Sequence, residues 1–185
     1  MSSGIDTRNL VSFELLLNRG PWSLQGEYIV DFLSADNEFN TPDKPYAVRD
    51  GMVHGFYVTA SYFLTGEYRT YNRKTGLPDR VVPNRNFSFS GPPEKRGWGA
   101  WQLATRCSMI DYTNLYDQAH GEDPVLAYRR IVGKGAIDYT VGLNWHFNPN
   151  ARMMFNCIAT RSDANCPSGE VGMMYSFGTR VQVGF

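Results

Sequence analysis

Apolar and polar side chains alternate one by one through most of this chain, and nowhere do apolar residues keep helical spacing over a useful length. Successive side chains of a β-strand point to opposite faces, so the pattern is satisfied by a sheet with one apolar and one polar face. The clearest case is Ala136 to Phe147. There Ile137, Tyr139, Val141, Leu143, Trp145 and Phe147 face one way, and Asp138, Thr140, Gly142, Asn144 and His146 the other. Asn9 to Arg19, Trp22 to Leu33, Gly51 to Gly66, Trp98 to Asp111, Ala151 to Arg161 and Glu170 to the terminus follow the same rule. The expected fold class is all-β: about seven to eight antiparallel strands in one domain over residues 1–185.

The connections are uneven. Asn18-Arg19-Gly20-Pro21 and Asn148-Pro149-Asn150 read as tight turns, whereas Ser34 to Asp50, Tyr112 to Gly135 and Ser162 to Gly169 are long and polar. Short turns at one end and long loops at the other characterise transmembrane β-barrels. Glu67 to Gly97 breaks the rule, being a long connection at the end where a short one is expected.

No stretch approaches the ~20 consecutive apolar residues of a spanning helix. A barrel escapes that criterion, because every second residue faces the lumen; what remains visible is abundant aromatic residue and glycine. Here Tyr and Phe number 11 each, Trp 4 and Gly 18. Trp22, Trp98, Trp101, Trp145 and Phe147 fall near strand ends and suit interfacial girdles, although in a soluble sandwich they would be core. The terminal Phe185, with apolar residues at alternate positions before it, fits the aromatic final strand that outer-membrane assembly machinery reads.

Net charge is zero, which argues against a nucleic-acid partner. The balance is uneven along the chain: Glu67 to Gly97 holds seven basic residues against three acids, a net +4 set against −4 elsewhere. As a surface loop this segment would be solvated; folded into a pore, it would line it with positive charge and draw in anions. Its candidate anion-pathway residues are Arg69, Arg73, Lys74, Arg80 and Arg85. On the strands, Gln102, Arg106, Asp138, Asn144, Arg152, Arg180 and Gln182 fall on polar faces and are the candidates to face a lumen.

Signs of catalysis are poor. His54, His120 and His146 are isolated, no HxH, HExxH or Gly-x-Ser-x-Gly pattern accompanies them, and a lone strand histidine is usually structural. Cys107, Cys157 and Cys166 form neither a disulfide framework nor a zinc pair. Asp36, Glu38 and Asp43, beside Asn37 and Asn40, offer oxygen ligands without the spacing of a dedicated calcium loop. The expectation is a protein that is not an enzyme and has no cofactor and no metal. The first residues lack the pattern of a secretory signal.

Four segments together resemble one family: Gly55-Phe-Tyr-Val-Thr-Ala-Ser-Tyr-Phe-Leu-Thr-Gly-Glu67, Tyr71-Asn-Arg-Lys-Thr-Gly76, Gly97-Trp-Gly-Ala-Trp-Gln-Leu-Ala104 and Tyr139-Thr-Val-Gly-Leu-Asn-Trp-His-Phe-Asn-Pro-Asn150. They look like the C-terminal half of the phosphate-selective porin O and P family over Val53 to Phe185. The resemblance implies a sixteen-stranded outer-membrane barrel, usually trimeric, that passes anions and prefers phosphate or polyphosphate. Its implied partners are outer-membrane lipid, small anions such as phosphate, two further copies of the chain and the assembly machinery. The chain departs from the family in its length, its missing signal peptide and the long loop Tyr112 to Lys134.

The leading expectation is thus part of an outer-membrane porin for passive diffusion of small solutes, chiefly anions. A small closed barrel with a structural or adhesive role and no channel needs an eighth strand, near Val81 to Ser90 or at the N-terminus. A soluble β-barrel or sandwich that binds a small ligand is the third reading.

Overall fold

The computed structural model describes residues 5–35, 51–74, 76–90, 92, 94, 96–112, 135–162 and 172–184. Its strands are β1 (Ile5–Arg19), β2 (Trp22–Ala35), β3 (Gly51–Phe63), β4 (Tyr71–Asn72), β5 (Leu77–Pro78), β6 (Ala100–Asp111), β7 (Gly135–Asn148), β8 (Ala151–Ser162) and β9 (Gly172–Val183). The seven long strands form one antiparallel meander in the order β1-β2-β3-β6-β7-β8-β9, and β4 pairs only with β5 as a small separate hairpin.

Directly opposed residues of an antiparallel pair share a face. One such row runs Leu17, Leu24, Ala60, Thr105, Val141, Cys157, Phe177 across the whole sheet. A second runs Phe13, Tyr28, Phe56, Met109, Ile137. The seven apolar stripes therefore merge into one continuous face, and much of it is bare: Phe13 is 68% exposed and Phe177 82%. No second sheet covers it among the described residues. Among the described residues, the buried hydrophobic side chains are instead Phe63, Val81 and Ala100, at one end of the polar face.

That end holds the tight turns. Gly20 (φ 56°) and Pro21 join paired Arg19 and Trp22, with the positive φ at the first central position that a type II′ hairpin needs. The β7–β8 turn closes through Asn148 Oδ1, which accepts the N–H groups of Asn150 (2.8 Å) and Ala151 (2.9 Å).

Two boundaries differ from the sequence pattern. The third strand, expected to reach Gly66, stops at Phe63, because Gly66 takes a φ of 85° and its N–H turns back to the Phe63 carbonyl (3.3 Å). The next, expected from Trp98, starts at Ala100. Gly99 has a φ of 69° and lies so close to the His146 carbonyl that a β-carbon has no room. The eighth strand that a small closed barrel requires is not formed by Val81 to Ser90, which is irregular throughout. Among the described residues the sheet stays open, with β1 and β9 at opposite edges. Phe185, Glu170, His120, Cys166, most of the three long loops and the acidic stretch from Asp36 to Asp43 lie outside the described residues.

Candidate functional site on the polar face

The connection between β3 and β6 is held to the sheet by contacts that no local pattern announces. Leu64 N–H donates to the Trp101 carbonyl (2.8 Å), and Trp101 N–H returns a bond to Thr65 Oγ1 (3.0 Å). Glu67, only 3% exposed, accepts the Thr65 hydroxyl and the Asn84 N–H (3.0 Å). A buried carboxylate is tolerable only when partnered in this way. Val81 then clusters with Phe63 and Ala100, both wholly buried, which places this stretch against the polar face at the tight-turn end.

The same connection reaches the apolar face. Phe87 N–H bonds the Phe147 carbonyl (2.7 Å), and the Phe87 ring packs edge-on against Trp145 (4.7 Å) and Phe89 (4.5 Å). Trp145 stacks on Trp101 (4.8 Å) and donates its Nε1–H to the Trp98 carbonyl (2.7 Å). With Trp22 against Tyr62 (4.4 Å), these rings gather aromatic residues at the tight-turn end.

Between the connection and β7, β8 and β9 lies a cleft of about 490 Å³. Arg69, Asp79 and Arg80 enter it from the connection, and His146, Arg152 and Gln182 from the strands. Arg80 Nη1 donates to Asn150 Oδ1 (2.8 Å); Arg152 holds Gln182 Oε1 through Nη2 (2.8 Å) and Nε (3.2 Å). Burial, and then the nearby Arg152, push the Arg69 pKa below its ordinary value. Arg69 Nε and His146 Nε2 are buried without a hydrogen-bond partner among the described residues.

Of the five basic residues expected to share an anion pathway, only Arg69 and Arg80 meet in this cleft. Arg73 and Lys74 sit at the exposed tip of the β4–β5 hairpin, where Lys74 N–H bonds Asn72 Oδ1 (2.9 Å). Arg85 is exposed and reaches the Glu94 carbonyl (3.4 Å).

The strand residues nominated for a lumen all fall on the polar face by register. Gln102 donates to Ser61 Oγ (2.9 Å) and accepts from Asn144 (3.1 Å), and the Arg106 guanidinium lies 4.1 Å above the Tyr57 ring. Arg180 shares the face, opposite Met154. Thr160 bonds Asp138 (2.5 Å). Near the far end Arg8 pairs with Asp31 at 2.6 Å. His146, read from the sequence as a structural histidine, also enters the cleft, from the polar-face position directly opposite Arg152. Among the described residues no three His, Cys, Asp or Glu side chains gather as metal ligands.

Residues 5–185 match a family model described as phosphate-selective porin O and P. Porin O of Pseudomonas aeruginosa is 26% identical over 144 residues, covering 78% of this chain and 28% of that relative. The chain thus spans less than a third of the relative's length.

Proposed function

The chain belongs to the phosphate-selective porin O and P family, and on that premise we propose that its sheet is one arc of the wall of an outer-membrane porin. The observation that carries this reading is the continuous apolar face, uncovered by a second sheet among the described residues, which a soluble sandwich would have to bury. Strands of 12 to 15 residues exceed the ~9–11 that cross the hydrocarbon core when tilted.

In a bilayer the unpaired backbone groups at the edges of β1 and β9 must find partners, so further strands complete the barrel, sixteen in all by the family's pattern. The polar face then borders a water-filled lumen through Gln102, Arg106, Asn144, Arg152 and Arg180. Solutes diffuse through passively, without chemistry. The arginines bias the field toward anions, with Arg69 and Arg80 at the tight-turn mouth, taken as periplasmic. Preference for phosphate follows the family's name, and polyphosphate is what the sequence resemblance adds. The proposed partners are outer-membrane lipid, two further copies of the chain in a trimer, and the assembly machinery through the strand ending at Phe185.

Planar-bilayer recording of the full-length protein under a salt gradient tests the reading. Stepwise conductance with a reversal potential favouring anions is expected. Absence of conductance overturns the porin reading, and a cation-favouring reversal potential overturns the anion bias alone.

A further inference from the structure

We propose that the cleft between the β3–β6 connection and β7–β9 is a binding site for an organic phosphate of two or more negative charges, of the size class of a nucleoside diphosphate. Three guanidinium groups line it from both sides, Arg69 and Arg80 on the connection and Arg152 on the wall. Its acid, Asp79, is already engaged by the Arg80 N–H (2.8 Å). Guanidinium groups gathered at a partly buried place favour an anion beside them; burial, and after it the neighbouring Arg152, lowers the Arg69 pKa.

The second observation is independent of charge. His146 is 4% exposed, lines the cleft, and its Nε2 has no partner among the described residues; half-buried Arg69 also lines it, and its Nε likewise lacks one. Buried nitrogens of this kind are normally satisfied, and arginine forks such as those beside them are the common means of binding phosphate.

Size separates this site from a stopping place for small ions. About 490 Å³ lies within the roughly 300–1,000 Å³ of small-molecule sites and is ample for an organic body as well as its phosphates. Val81, Pro149 and Ala151 provide apolar lining for that body. A ligand held from both sides would tie the connection to the wall.

The site does not depend on conduction, so the two readings fail separately. Full-length protein in detergent micelles is titrated calorimetrically with ADP, with orthophosphate and with adenosine. ADP is expected to bind at least tenfold more tightly than orthophosphate, and adenosine not measurably. Arg152→Gln and Arg80→Gln should each weaken ADP at least tenfold, while Arg19→Gln, outside the cleft, leaves it unchanged. Two arginine variants guard against one failing to fold. Equal affinity for ADP and orthophosphate, no ADP binding, or unaltered affinity in the folded arginine variants overturns the proposal. ADP binding by a protein that passes no current leaves it standing.

Discussion

Arg80, in the long connection after β3, donates from Nη1 to Asn150 Oδ1 in the tight turn between β7 and β8, at 2.8 Å and across 70 positions of sequence. This bond ties the basic connection to the wall at the mouth of the polar face. Both partners are exposed, so Asn150→Ala should cost no more than about 1 kcal/mol of global stability. Its effect should be local: hydrogen exchange at the Asp79 amide, which bonds the Thr70 carbonyl at 2.8 Å, becomes faster while strand amides are unchanged.

Glu67 is the stronger anchor. Removing a buried charged acceptor that holds the Asn84 N–H and the Thr65 hydroxyl should cost about 1.5–3 kcal/mol in Glu67→Ala, read from urea unfolding in detergent. Glu67→Gln, which keeps an acceptor oxygen, should lose less. Phe63→Ala, which empties the small core beneath Val81, should cost about 3–5 kcal/mol.

The strands were legible in the sequence because sheet geometry imposes period two locally; the faces read from Val141 and Thr140 agree with the register. The boundaries at Phe63 and Ala100 were less so, since they depend on how Gly66 and Gly99 turn against distant backbone. The connection was hardly legible at all. Its shape rests on Glu67 with Asn84, Arg80 with Asn150 and Phe87 with Phe147, pairings that carry no periodicity. Hence the charge of Glu67 to Gly97 was visible, but not that Arg69 and Arg80 would meet His146 while Arg73, Lys74 and Arg85 stayed apart.

Neutralising the mouth should alter selectivity more than conductance. In a variant carrying Arg69→Gln, Arg80→Gln and Arg152→Gln, the reversal potential under a salt gradient should shift toward zero, and raising ionic strength should shrink the difference from the parent protein. An unchanged reversal potential would place the anion bias elsewhere in the barrel.

Neighbouring residues on β7 should differ sharply in their tolerance of charge. Val141→Arg on the apolar face should cost about 2–4 kcal/mol if that position lies near the bilayer midplane, whereas Thr140→Arg on the polar face should be nearly neutral. Refolding yields into lipid vesicles check the contrast.

The central claim, that one face of this sheet meets lipid and the other water, is tested most directly by cysteine accessibility along β7. Cys107, Cys157 and Cys166 are first replaced by serine, and single cysteines are placed at each position from Ile137 to Trp145 in the full-length protein in lipid vesicles. A membrane-impermeant thiol reagent should label positions 138, 140, 142 and 144 and spare 139, 141 and 143. Labelling without that alternation, or with positions 139, 141 and 143 reacting instead, would contradict the account.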